Sequence, residues 1–142
     1  MKYNGVKEWE TLPTFRSRVQ FPSPAPLNLF SYMSDLHKKN CIPCQGGIPA
    51  FDISEIHKYL KKVDGWDVKK ENKIYFLEKK FSFKNFLESQ KFVDQVCNIA
   101  EAQGHHPDIT FGWGYAKIQI FTHKIEGLVE SDFILAAKID KI

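Results

Sequence analysis

The stretch from Phe83 to Pro107 does most to limit what this chain can fold into. Phe83, Phe86, Leu87, Gln90, Val93, Cys97 and Ala100 recur at helical spacing, which predicts a long helix over about residues 83–103 with these side chains on its apolar face. Gly104 comes next and suits the left-handed position that ends a helix. Pro107 then biases His106 toward extended backbone. The chain must pass from helix to strand between residues 104 and 107, and "GHHPD" fills that corner. Adjacent side chains point to opposite faces of a strand and sit about 100° apart on a helix. In a corner neither rule holds, so His105 and His106 can approach one cavity.

The flanking segments alternate in period. Asp52 and Glu55 stand at capping-box spacing and predict a helix through about Val63, with Ile53, Ile56, Tyr59 and Leu60 as its apolar stripe. "GWDVKKENKIYFLEKKF" reads as a hairpin, with strands near 66–70 and 73–81 and a turn around Glu71-Asn72. A second hairpin is expected from strands 108–112 and 115–122 joined at "GWGY", and a last helix from Val129 to Ile139. The order α-β-β-α-β-β-α predicts an α+β domain: a four-stranded antiparallel sheet with three helices on one face. With 142 residues, 43% of them apolar, the chain can bury one core.

Residues 1–32 read differently. "FPSPAPLNLF" holds three prolines in ten residues and forbids continuous helix. The segment is expected to be a disordered extension or a miscalled start, with Met33 as initiator and 33–142 as the domain. Arg16 and Arg18 favour a transit peptide, and Glu8 and Glu10 oppose one. The net charge is +3 without a basic block, which gives little support to a nucleic-acid partner. No apolar run approaches the roughly 18 residues that span a membrane, and no secretory core is present. Three cysteines argue against a disulfide framework and for a reducing, cytoplasmic setting.

A third histidine joins the pair. If the second hairpin turns near residue 114, cross-strand partners sum to about 228, and His123 faces residue 105 or so. Three imidazoles then converge at one end of the sheet. Imidazole titrates near pH ~6.5, so one ring can act as base and another as acid at neutral pH. Asp132 in the last helix and Glu101, one turn before the pair, could orient a histidine or polarise a bound group. Three histidines can also hold zinc, but two adjacent residues with a third 17 further on is not a specific ligand spacing, and no HExxH occurs. Cys41-Ile-Pro-Cys44 is a metal or redox candidate without a second pair, and Cys97 is expected in the core. Phosphate-binding glycine loops, GxSxG and the dinucleotide fingerprint are absent. What remains is metal-free proton transfer in a small cleft.

Glu101, His105-His106-Pro107, Trp113, His123 and Asp132 together resemble the signature of the pterin-4a-carbinolamine dehydratases. "HKIEGLVESDFILAAKID" is similar to that family's closing turn and helix, and "CIPCQGGIPA" to the leader of many bacterial members. The resemblance covers about residues 38–142. It implies dehydration of 4a-hydroxytetrahydropterin to quinonoid dihydropterin, without metal or other cofactor. That reaction regenerates pterin spent by an aromatic amino acid hydroxylase. It also implies that His105, His106 and His123 are catalytic, supported by Asp132 and Glu101. Substrate contacts would come from Gly104 through its backbone, from the three histidines, and from Phe121, Thr122 and Lys124. A homodimer or homotetramer is expected. Animal relatives also serve as dimerisation cofactors of a homeodomain transcription factor, so a non-catalytic interaction protein is the alternative reading.

Overall fold

A computed structural model describes residues 35–42 and 47–142. The segment 1–32 and Cys44 lie outside the described residues. A 3-10 turn, Asp35–Lys38, leads into helix α1 (Ile53–Leu60), strands β1 (Asp67–Glu71) and β2 (Ile74–Ser82) and helix α2 (Phe86–Gln103). Strands β3 (Asp108–Gly112) and β4 (Tyr115–Ile120) and helix α3 (Glu130–Ile139) complete the order. The sheet is antiparallel in the order β1-β2-β4-β3, so β1 and β3 are its edges. The α+β arrangement is the one expected: a four-stranded antiparallel sheet with three helices packed on it.

Local chemistry sets the boundaries. Asp52 caps α1 by accepting from the Glu55 amide at 2.8 Å. The helix ends at Leu60 rather than near Val63, and Ile53 is 46% exposed while Ile56 is fully buried. Its first turn therefore lies outside the core stripe. The first hairpin closes with Glu71 opposite Ile74. Its turn is Asn72-Lys73, one residue later than expected, with φ of 49° and 70°. Positive φ at both central residues is the type I′ turn, whose twist matches that of paired strands.

The largest correction concerns α2. Asn85 accepts from the Glu88 amide at 2.9 Å, so the helix starts at Phe86 and Phe83 belongs to the link before it. Its buried residues are Ser89, Phe92, Val93, Val96 and Ala100. Phe86, Leu87, Gln90 and Cys97 are exposed, contrary to the expected apolar face. The helix carries two apolar stripes, and aromatic packing selects between them. Phe81 and Phe83 stack on Phe92 at 4.5 and 5.1 Å, which turns the Phe92–Val96 stripe inward.

Leu77, Ala116, Ile118 and Ile120 fill the helix-facing side of the sheet, while Tyr115, Lys117 and Gln119 alternate with them on the other. Helix α3 is buried nearly all round, from Ser131 through Ala137. A helix so enclosed needs cover on several sides. The sheet and α2 supply part of it. Leu36, 2% exposed, supplies more from the 3-10 turn, and the Lys138 ammonium donates to the His37 carbonyl at 2.9 Å.

Candidate active site

The end of α2 delivers the histidine pair. Gly104 takes φ of 61°, its amide reaches the Glu101 carbonyl at 3.2 Å, and the His105 amide reaches the Ala100 carbonyl at 3.1 Å. This is a Schellman cap. It turns the chain sharply enough for His105 and His106 to leave in different directions before β3 begins at Asp108.

His105 turns inward. It is 7% exposed, and its Nε2 lies 2.7 Å from Oδ1 of Asp132, which is fully buried in the first turn of α3. Asp132 also accepts from the Thr122 hydroxyl at 3.2 and 3.1 Å and from the Val129 amide at 2.7 Å. Each of these groups donates, which offsets the cost of burying a carboxylate. Because a carboxylate only accepts, Nε2 of His105 carries hydrogen, and Nδ1 is left as the acceptor of the neutral ring.

His106 turns outward. Its Nε2 lies 2.7 Å from Oε1 of Glu101, and both side chains are mostly exposed. Each residue of the pair is thus backed by its own acid. His123 arrives from the other side of the cleft. The second hairpin pairs Asp108 with Gln119, so partners sum to 227 rather than 228, and β4 ends at Ile120 instead of residue 122. Thr122 bridges to Gly127, and the loop between them holds His123 beyond the ladder. A side chain at Gly127 would place its Cβ 2.7 Å from that of Ala50, so this close approach requires glycine. The His123 ring sits 4.2 Å from that of Phe121, and its Nε2 is 3.8 Å from Asp108, too far for a hydrogen bond.

All three imidazoles line one cleft of about 410 Å³, together with Gly104, Phe121, Thr122 and Lys124. Glu101 and Asp132 stand behind it as partners of the histidines. Trp113 does not line it: this residue is 72% exposed in the β3–β4 turn, at the opposite end of the sheet. Cys97 is exposed, not in the core. Among the described residues, no group of three or more His, Cys, Asp or Glu side chains is arranged to hold a metal ion. None of their helices is long and apolar enough to cross a membrane.

Sequence reasoning missed three features. Asp108, the last letter of "GHHPD", lines the cleft beside His123; the period-two register would have placed it there. The Thr122 hydroxyl serves Asp132, a role that spacing cannot reveal. Residues 39–42 form a strap across the two helix ends that carry the His105–Asp132 pair. The Cys41 amide donates to Gln103 Oε1 at 2.9 Å and the Cys41 thiol to the Ser131 carbonyl at 3.4 Å. The Ile42 amide donates to Ser131 Oγ at 3.2 Å, and Lys39 pairs with Glu130 at 2.6 Å. That bond and the Glu130 charge raise the Lys39 ammonium above its ordinary range.

Comparisons with known proteins identify the family. The family model described as pterin 4 alpha carbinolamine dehydratase matches residues 49–142. A provisionally named pterin-4-alpha-carbinolamine dehydratase of Rubrobacter xylanophilus is 48% identical over 110 residues, covering 78% of this chain and all of the relative. One of Halorhodospira halophila, named in the same way, is 45% identical over 107 residues, covering 75% of this chain and 96% of the relative. Among solved structures, a transcriptional coactivator/pterin dehydratase from Brucella melitensis superposes with a TM-score of 0.59 at 27% identity. That match covers 65% of this chain and 96% of the other. The chain belongs to the pterin 4 alpha carbinolamine dehydratase family.

Proposed function

We propose that this protein dehydrates 4a-hydroxytetrahydropterins to quinonoid dihydropterins by histidine acid/base catalysis. The observation that carries this is the convergence of His105, His106 and His123 on one cleft, two of them backed by carboxylates at 2.7 Å. In the reaction the C4a–O bond breaks and a C4a–N5 double bond forms. The hydroxyl takes up one proton and leaves as water, and N5 gives one up. An imidazolium on one side of the ring and a neutral imidazole on the other meet both needs, and positioned transfers of this kind supply about 10²–10⁴-fold each.

His106 and His123, exposed to the cleft, suit the two transfers. His105, anchored through Nε2, suits holding the substrate. Phe121 offers a flat apolar wall, Gly104 a backbone contact, and Thr122 and Lys124 the remaining polar lining. The product returns to use after reduction, which links the protein functionally to a pterin-dependent aromatic amino acid hydroxylase, and the setting is cytoplasmic.

A second reading draws on the Brucella protein's description as a coactivator: an interaction protein docking through the exposed Phe86–Leu87 surface of α2. The test is stopped-flow dehydration of a 4a-carbinolamine generated in situ, with and without the protein. Acceleration that survives exhaustive chelation supports the proposal. No acceleration favours the interaction reading. Activity lost on chelation and restored by zinc refutes the metal-free mechanism.

A further inference from the structure

The three imidazoles of the cleft share one arrangement. His105 meets Asp132 through Nε2 at 2.7 Å, and His106 meets Glu101 through Nε2 at 2.7 Å. His123 also turns Nε2 toward a carboxylate, Oδ2 of Asp108, at 3.8 Å. Two of the pairs are hydrogen-bonded, and the third stands about 1 Å short of it. In all three rings Nδ1 is the nitrogen that faces no acid of the set.

Register puts Asp108 where it is. It follows Pro107, opens β3 and pairs with Gln119. Gln119 alternates along β4 with the buried Ile118 and Ile120, so Asp108 lies with it on the open side of the sheet, and the chain reaches His123 four residues after Gln119. Gln119 does not occupy the carboxylate: its amide donates to Glu78 at 2.7 Å instead. Among the described residues, no group hydrogen-bonds Asp108, and His123 is the base nearest to it. The other neighbour of the His123 ring is Phe121, at 4.2 Å and tilted by 38°. A half-turn of the imidazole about its Cβ–Cγ bond preserves that stacking and exchanges a nitrogen edge for a carbon edge. Apolar packing therefore cannot choose which edge faces a substrate. A polar partner can.

The next step rests on the dehydratase reading. Whichever proton His123 handles, it must hold one nitrogen toward the reacting edge of the pterin. We infer that Asp108 is a positioning residue for His123: its carboxylate accepts from Nε2–H as substrate enters and fixes Nδ1 toward the reacting atoms. Hydrogen bonds of catalytic groups often stand long and tighten only in the reacting complex. Here side-chain rotation suffices, since both side chains are more than half exposed. Each histidine of the cleft then has its own acid.

The test is stopped-flow dehydration of a 4a-carbinolamine by the wild type, Asp108→Asn, Asp108→Glu, His123→Ala and the double variant Asp108→Asn with His123→Ala. Asp108→Asn is expected to lower kcat by roughly tenfold to a hundredfold, the scale of a misplaced reacting group, with KM little changed. Asp108→Glu keeps a carboxylate with longer reach and should retain most of the rate. In the His123→Ala background, Asp108→Asn should cost little further, because the residue acts through that ring. Melting temperatures should match the wild type for both Asp108 variants. Asp108→Asn at the wild-type rate, Asp108→Glu as slow as Asp108→Asn, a loss undiminished in the absence of the His123 ring, or a rate that falls only with the melting temperature overturns the positioning role. Each of these leaves the dehydratase reading standing. A wild type that does not accelerate dehydration overturns both.

Discussion

His105 Nε2 lies 2.7 Å from Asp132 Oδ1, a contact that ties the C-terminal end of α2 to the first turn of α3. Asp132 also caps α3 through the Val129 amide, so one carboxylate fixes a histidine tautomer and a helix start together. Asp132→Asn has a single acceptor oxygen for groups that now share two. With the amide oxygen toward Val129, its NH₂ faces His105 and favours the opposite tautomer. We expect a lower dehydration rate together with a stability loss of about 1–3 kcal/mol, the cost of unpaired buried polar groups. Urea unfolding and stopped-flow rates on the same preparation check this. An unchanged rate with unchanged stability would remove the pair from the mechanism.

That contact also marks where reading the sequence stops. The element order was legible because each change of period comes with its own punctuation: Asp52, Asn72, Gly104 and Pro107 each end or begin something by local chemistry. His105, His106 and His123 were legible as one cluster because hairpin geometry carries the last toward the first two. The buried face of α2 was not, since Phe86-Leu87 and Phe92-Val96 are equally apolar and only contact with Phe81 and Phe83 separates them. The strap was not legible either. Cys41 meets Ser131 across 90 residues, and nothing in the local pattern of either announces it.

The strap separates two truncations. A chain starting at Met33 retains Leu36, Cys41 and Ile42, and we expect its melting temperature and activity to match the full chain, residues 1–32 being dispensable. A chain starting at Gly47 loses the Leu36 side chain from the core, worth about 1.5–3 kcal/mol, and every bond from residues 39–42 to Ser131, Glu130 and Gln103. It should melt earlier. Thermal melts of the three chains decide; a chain starting at Gly47 that is as stable as the full one shows that the strap contributes nothing.

Assembly follows from surface the fold leaves uncovered. Phe86 and Leu87 are 48% and 57% exposed, and Phe86 stacks at 5.6 Å on Phe111 of the edge strand β3. Apolar surface thus continues from α2 to an unpaired sheet edge, and both features invite association. We expect at least a homodimer at micromolar concentration by sedimentation, weakened by Leu87→Glu. A wild type that sediments only as monomer would defeat this.

The last prediction concerns the outward-facing rings. His106 and His123 have side chains 59% and 61% exposed, so neither holds the core together. His106→Ala and His123→Ala are each expected to lower the catalysed rate by roughly 10²-fold or more, with little change in melting temperature. His105→Ala should differ in kind. Its ring is buried against Asp132, so its loss should reduce stability and appear partly in KM. Combining His106→Ala with His123→Ala should cost less than the product of the separate losses, because the two serve one proton-transfer cycle. If the rings merely shape the corner, rate and melting temperature fall together and the two effects multiply. Rates and melts for the four variants separate these outcomes. Folded variants with near wild-type rates would sink the catalytic assignment.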